Sequence, residues 1–389
     1  MSLLEYVNRI KATALGAGLL GAGLMGIWQD DTPFASHRIW LVAAGVIVLV
    51  MQALQLTYYK SGQTWSAESR EPKRFDLKWS HYLKALCCWL HAFQRTYAFK
   101  PGLYYIGERY DKDAPLLVTS NYLLTVFLLV RRLQGSGAVR LLVVDADGIN
   151  VWCASSKGQM TNATVLAQLD RYDRELLTDA KWLKLILPKF ALAGVDLRDL
   201  RRHKIRPVIG PLYASDLPAY LENRPFKDRV EERVHFGLQS RIFTWLPGLV
   251  QYMGYALGLM LILLAVEWVW GLKAPLAVIP LTAVICTAYP LLFPWIPGQR
   301  FAVKGLWLGA AICAAMTAGW AAGLIGTGGL VTAVLFAVAT TVFFALSYTG
   351  NSAVSNYTRV RAEIARFLPI TLLFYVAALI AFIQVGVSA

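Results

Sequence analysis

Arg140-Leu141-Leu142-Val143-Val144-Asp145, running out through Gly148 into Ile149-Asn150-Val151-Trp152-Cys153-Ala154-Ser155-Ser156-Lys157-Gly158, reads as a buried strand ending in a glycine turn. A short unbroken apolar run bounded by a turn residue suits a strand covered on both faces, and Thr161–Asp170 behind it has helical spacing. The pairing recurs. Pro115–Ser120 precedes helix-like sequence, and Trp182–Leu187 and Ile205–Gly210 flank the helical Val195–His203. Strands alternating with helices imply a largely parallel sheet, so the expected class is α/β with a Rossmann-like domain. Ligands of such domains collect at the carboxyl ends of strands, where Asn150–Cys153 and the turn Thr119-Ser120-Asn121 both emerge. The hydroxyls of that turn suit ligand contacts or, equally, an ordinary helix cap. Cys153 has two readings as well. Free cysteine is commonly buried as a small hydrophobe, and only its thiolate is a nucleophile or metal ligand; the strand-end position favours the second role.

At 389 residues, 57% hydrophobic and mean hydropathy +0.47, the chain is too apolar for an ordinary soluble protein. A net charge of +14 matches loops and a domain held against an anionic bilayer face, and no nucleic-acid partner is expected. Five cysteines, two of them in apolar spans at Cys286 and Cys313, form neither a disulfide framework nor a CxxC pair. A reducing compartment is expected for the domain.

Three domains follow: an N-terminal transmembrane hairpin over 1–59, a cytoplasmic α/β domain over 60–245 and an α-helical transmembrane domain over 246–389. The hairpin pairs Ala12–Trp28, rich in glycine for close helix packing, with Ile39–Tyr59. A cleaved signal peptide is the competing reading, opposed by the second span and the missing small-residue cleavage pattern. In His81–Phe93, Tyr82, Leu86, Trp89 and Phe93 share a helical face, which suits packing on the domain better than the bilayer interface. Cys87-Cys88 is a poor chelate, because neighbouring helical residues point about 100° apart.

About five apolar segments close the chain, near Leu246–Trp270, Leu276–Phe293, Leu306–Ile325, Leu330–Tyr348 and Leu368–Val385. Arg300 and Lys304 in one connection, Arg359, Arg361 and Arg366 in the next alternate one, and an uncharged Gly326–Gly329 loop between them set the orientation. Arg9 and Lys11 ahead of the first span, with Asp30-Asp31 after it, agree. The expectation is a multi-pass protein of the cell inner membrane with the α/β domain cytoplasmic and the C-terminus outside. Phe293-Pro294-Trp295-Ile296-Pro297-Gly298 reads as a helix end, and spans nearly free of charge oppose an ion-coupled transporter.

Asn150-Val151-Trp152-Cys153-Ala154 and Lys157 resemble the motif Asn-(Val/Ile)-Trp-Cys-Ala-(Ala/Gly)-Gly-Lys of the corrinoid proteins of bacterial and archaeal mercury methylation, the HgcA family. The corrinoid domain of that family is itself similar to a subunit of the corrinoid iron–sulfur protein of acetyl-CoA metabolism. Further landmarks stand in the same order: Pro101-Gly102-Leu103-Tyr104, Leu117–Tyr122, Val144-Asp145, Gly210-Pro211, Ser215–Ala219, Phe293–Gly298 with Val303-Lys304-Gly305, and Tyr348-Thr349-Gly350. The likeness covers roughly Asp76 to Pro369. Two departures stand out. Ser155-Ser156 replace the family's (Ala/Gly)-Gly, where glycine permits close approach to a cofactor or positive φ, and the N-terminal hairpin is additional to the family's plan.

The resemblance implies a membrane-anchored corrinoid-dependent methyltransferase forming methylmercury from Hg(II). It implies a cobamide whose cobalt takes Cys153 as lower axial ligand, on a cap helix Asn150–Lys157. Val151 and Trp152 would pack or shield around the cobalt, Ala154 belongs to the same cap, Asn150 and Lys157 would orient it, and Thr119 and Ser120 would contact the cofactor from the neighbouring turn. Implied partners are a dicluster [4Fe-4S] ferredoxin as reductant, a folate-linked methyl donor or methyltransferase, and the lipid bilayer. Five scattered cysteines offer no ferredoxin spacing, so the reductant is a separate chain. The serine pair motivates one alternative, a corrinoid methyl carrier acting on another metal, metalloid or partner. A second is a transporter or corrinoid sensor with a regulatory α/β domain.

Overall fold

The computed structural model describes residues 3–28, parts of 38–49, and 70–91, 97–223, 234–272, 277–324, 327–349 and 357–388. It comprises two compact units: Ala53–Arg233 with Met1–Val7, and Asn8–Gln52 with Val234–Ala389.

In the first unit, β1 (Lys73–Arg74), α2 (Trp79–Leu90), β2 (Gly102–Ile106), β3 (Leu116–Ser120), α3 (Leu123–Leu133) and β4 (Val139–Val144) follow one another, α1 (Leu3–Trp28) lying ahead of them in the chain. Then come α4 (Val151–Ser156), α5 (Asn162–Leu169), α6 (Arg174–Leu177), β5 (Leu183–Leu187), a 3-10 turn (Lys189–Ala193), α7 (Leu197–Arg202), β6 (Ile205–Ile209) and α8 (Leu217–Leu221). The strands lie in the order β1-β2-β4-β3-β5-β6. β4, β3, β5 and β6 are mutually parallel, as the alternating sequence pattern requires. β2 joins antiparallel to β4, and β1 runs parallel to β2, so the sheet is mixed at that edge.

β3 and β4 are buried at every position because helices cover both faces. Leu116, Val118, Leu142 and Val144 belong to one core with Val151, Ala154, Val165 and Leu169 of α4 and α5. Leu117, Leu141 and Val143 point the other way, into a core with Val126, Val130 and Leu133 of α3. Arg140 is tolerated in this central strand because its guanidinium donates to the carbonyls of Ala114 (2.7 and 2.9 Å) and Leu177 (2.6 Å).

The helix at 79–90 packs on the unit, yet not by the face that its periodicity suggests. Ala85 and Cys88 are buried with Tyr97, Leu124 and Phe127, Trp89 is packed at their edge, and Tyr82 and Leu86 are exposed. Small side chains let the helix axis approach α3 closely, which the larger residues of the opposite face would prevent. Phe93 lies outside the described residues.

In the second unit, α9 (Leu238–Trp270), α10 (Val278–Leu292), α11 (Phe301–Ala321), α12 (Thr327–Tyr348) and α13 (Tyr357–Ser388) are sequential. Among the described residues four helices are long and apolar enough to cross a membrane: Leu238–Trp270, Phe301–Ala321, Gly329–Tyr348 and Thr358–Val385. α10 has 15 residues, short of the roughly 20 that a perpendicular span needs. In α1 the apolar stretch is Thr13–Met25, and the second hairpin segment is described only in part. A Cβ at Gly23 would lie 2.6 Å from Val42 N and one at Gly45 2.5 Å from Leu20 N, so these backbones approach as only glycine allows.

Of the basic residues assigned to connections, Arg300 stands in one, as the residue before α11, and the others lie on helices. Lys304 sits in the first turn of α11, buried, with its ammonium on the carbonyls of Phe293 (2.9 Å) and Ile296. Arg359, Arg361 and Arg366 are on α13, and Gly328 and Gly329 already belong to α12. On α13, buried Glu363 accepts from the free amides of Phe301 (3.2 Å) and Ala302 (3.0 Å), capping α11 from a residue 62 positions away. The Phe293–Gly298 turn does end a helix.

Candidate cofactor site

The chain leaves β3 through α3 on one face and leaves β4 through α4 and α5 on the other. β3 and β4 are neighbours whose connections diverge, which makes their carboxyl ends a topological switch point, the kind of crevice at which α/β sheets bind ligands. Ser120-Asn121-Tyr122 and Asp145–Cys153 both stand there. A separate cleft of about 690 Å³, lined by Arg74, Gly107, Glu108, Arg109 and Gly137 among others, lies beyond the amino end of β4, beside β1 and β2.

Asn121 is fully buried and holds the crevice together. Its side-chain oxygen accepts from the amides of Ala146 and Gly148, both at 2.9 Å, and its amide donates to the Asp145 carboxylate at 2.9 Å. The loop thus pinned turns through Asp147 (φ 54°) and Gly148 (φ 67°), and a Cβ on Gly148 would meet the Ala98 backbone at 3.1 Å. Asn150 follows as the cap of α4, its side-chain oxygen accepting from the Cys153 amide at 2.8 Å. A chain of hydrogen bonds from β3 therefore sets where Cys153 stands.

Cys153 is half-buried and belongs to none of the apolar clusters, whereas Val151 and Ala154 of the same short helix are core residues. Trp152 is half-buried and Lys157 exposed. Ser155 is buried against Gly194, where a Cβ would come within 2.9 Å of the Ser155 carbonyl; Ser156 faces solvent. Neither serine has positive φ; the left-handed position is Gly158 (φ 77°). The serines therefore impose no backbone strain.

Strand alternation separates the two hydroxyl residues. Ser120 lies on the α4 side with Leu116 and Val118; Thr119 lies on the α3 side with Leu117. Ser120 Oγ is fully buried without a hydrogen-bond partner, an orphan group that calls for a ligand or water at the strand end.

Burial pushes the Cys153 thiol up, opposed by the Lys157 ammonium and by hydrogen bonding to the Asn150 side chain. Burial likewise drives the Tyr122 phenol well up, with Cys88 and Cys153 as neighbouring contributors, and its hydrogen bond is to the Cys88 sulfur. Cys88 itself is raised to about 12 by burial. Tyr122 was not singled out from sequence as a neighbour of Cys153; it follows a landmark turn, and nothing local reveals the contact. No group of three or more metal-ligating side chains occurs among the described residues. The donor set is one soft sulfur, suited to an axial position rather than to a bare ion.

A thiol raised by burial stays protonated at neutral pH and becomes reactive only as pH climbs through its elevated pKa. Iodoacetamide labelling of Cys153, followed by peptide mass spectrometry without cofactor, should be slow at neutral pH and accelerate steadily into alkaline buffer. Lys157→Gln should slow it wherever the thiol is mostly protonated and converge with the parent chain in strongly alkaline buffer. Faster labelling in that variant would mean that the ammonium does not act on the sulfur.

No family model matches the chain. It is similar to the acetyl-CoA decarbonylase/synthase complex subunit gamma 1 of Methanosarcina thermophila, 35% identical over 124 residues, 31% of this chain and 26% of that subunit. The gamma subunit of Methanosarcina acetivorans is 31% identical over 124 residues, again 31% and 26% of the two chains. For gamma 2 of Methanosarcina thermophila the figures are 33% over 123 residues, 31% and 25%. The chain spans about a quarter of the length of these relatives. The sequence resemblance to the corrinoid protein of acetyl-CoA metabolism accords with this similarity; the mercury-methylation part rests on the motifs.

Proposed function

We propose that this membrane-anchored chain is a corrinoid-dependent methyltransferase that holds a cobamide at the β3–β4 crevice with Cys153 as axial ligand of cobalt and methylates Hg(II). One observation carries the reading: a half-buried thiol outside the core, set by a capped helix at the switch point of a parallel sheet. The orphan Ser120 hydroxyl on the same face supports it, and so does the similarity to subunits of a complex named for acetyl-CoA chemistry. When bound, the cobamide supplies a methyl group on cobalt for transfer to a soft acceptor.

The chain's residues do the rest. Cys153 donates sulfur electron density to the metal, the protein's lever on its electronics. Asn150 orients the thiol through its amide, Lys157 favours the thiolate, and Val151 and Ala154 seat the helix on the sheet. Trp152 shields the metal side from water, and Ser120, with Thr119 behind it on the other face, meets polar groups of the cofactor. A dicluster [4Fe-4S] ferredoxin would reduce the cobalt and a folate-linked donor or its methyltransferase would reload the methyl group. The α/β domain works on the cytoplasmic side, and the helices anchor it. The engagement of Lys304 and Glu363 with backbone groups at helix ends favours anchoring over transport.

Anaerobic purification with cobamide followed by cobalt X-ray absorption should show one sulfur neighbour. Assays on that material with Hg(II), other soft metal ions and metalloid oxyanions then identify the acceptor. Absence of sulfur from the cobalt shell would defeat the axial assignment, and transfer only to a non-mercury acceptor would move the function to the related carrier reading.

A further inference from the structure

We infer that the outer face of α2 is a lipid-binding surface, by which the α/β unit lies on the headgroup region of an anionic bilayer. The exposed residues Trp79 (81% exposed), Tyr82 (37%), Leu83 (50%) and Leu86 (47%) recur at helical spacings and form one face, while Ala85 and Cys88 hold the other against the domain. Trp79 and Tyr82 meet edge to face at 5.7 Å, and Tyr82 rests in turn on Phe127 at 5.0 Å, so the rings are held rather than loose. A face of Trp, Tyr and Leu on a helix anchored from behind is apolar where water should favour polar residues.

Charge selects the occupant. No acidic residue occurs from Leu77 to Gly107, a stretch carrying Lys78, Lys84, Arg95 and Lys100. Lys78 and Lys84 flank the exposed face closely enough that both act on His81 between them, whose imidazole is held below its usual range first by burial and then by these two ammonium groups. Aromatic rings with lysines beside them are the composition of an interfacial helix, the rings at headgroup level and the ammonium groups on lipid phosphates. The same chain carries helices long and apolar enough to span a membrane, so the α/β unit is tethered to segments suited to a bilayer. This inference is independent of the cofactor reading.

Photocrosslinking of the full chain in nanodiscs tests it. Benzoylphenylalanine would be introduced at Leu83 and, in a second variant, at Trp79, both exposed, so that the fold does not depend on either. Ile262, 62% exposed on α9, serves as lipid-facing reference, and Glu108, exposed on the loop that follows β2, as solvent reference. Mass spectrometry should find lipid adducts at Leu83 and Trp79 at yields approaching that of Ile262. Replacing phosphatidylcholine by a mixture with phosphatidylglycerol should raise those yields several-fold, and added salt should reverse the rise. Adducts to peptides of this chain, to a second copy or to another protein would overturn the inference. So would yields no higher than at Glu108.

Discussion

Cys153→Ala should remove the sulfur neighbour from the cobalt shell and lower methyl transfer to Hg(II) by about 100-fold or more, since even outer partners of a metal ligand typically cost 10–100-fold. The fold should survive. Cys153 is half-buried and outside the apolar clusters, so truncation leaves no core cavity and should change stability by less than about 1 kcal/mol. Cys153→Ser separates chemistry from packing, because a serine hydroxyl is nearly the same size yet a poor ligand for a soft metal. It should behave like the alanine variant in the cobalt spectrum. Unchanged sulfur scattering and transfer in either variant would end the assignment, and a large loss of protection in the hydrogen exchange of β4 would assign the residue to the fold.

Asn121→Ala carries the second large effect, and it acts through the loop. The substitution leaves the amides of Ala146 and Gly148 without their acceptor and takes one donor from the Asp145 carboxylate, in a place where Asn121 is fully buried. A stranded buried polar group costs about 1–3 kcal/mol, so two partly relaxed amides suggest a local loss of about 2–4 kcal/mol. Amide exchange across residues 145–153 should then accelerate by about 10²-fold at constant exchange in β6. Cobamide should bind more weakly, with a less ordered sulfur shell. Asn121→Asp keeps an acceptor but sets a second carboxylate against Asp145, so it should recover protection only as pH falls into the carboxylate range. Exchange in 145–153 that stays at its original rate in the alanine variant would show that Asn121 does not hold the loop.

These effects differ in how far they could be foreseen. β3 and β4 are legible because each holds a continuous apolar run, and such runs suit strands buried on both faces. Cys153 is legible for a related reason: strand, glycine turn and helix are local in sequence, so the strand-end position of the thiol follows from order alone. The role of Asn121 is not local. Its partners stand 24 to 27 positions further on, and only the adjacency of β3 and β4 makes them neighbours. β2 is not legible as a strand, because Gly102-Leu103-Tyr104-Tyr105-Ile106 gains its strand character by pairing with β4. The helix at 79–90 shows the converse. Its larger apolar residues mark a face, but a tight fit to α3 selects Ala85 and Cys88 instead.

By itself, the sequence determined the class of the fold, the four long apolar helices of the second unit and the thiol at a strand end, because apolar runs, turn residues and helical periods are local and additive along the chain. Tertiary structure alone decided which of Thr119 and Ser120 shares a face with Cys153, what pins the cap loop, and why Lys304 and Glu363 are tolerated among apolar helices. Alternation says that successive strand residues point apart, but the side to which the crossover helix returns is set by packing across the whole sheet. Likewise a buried charge is settled by whichever backbone groups the fold brings to it, and in the sequence those lie up to 62 positions away.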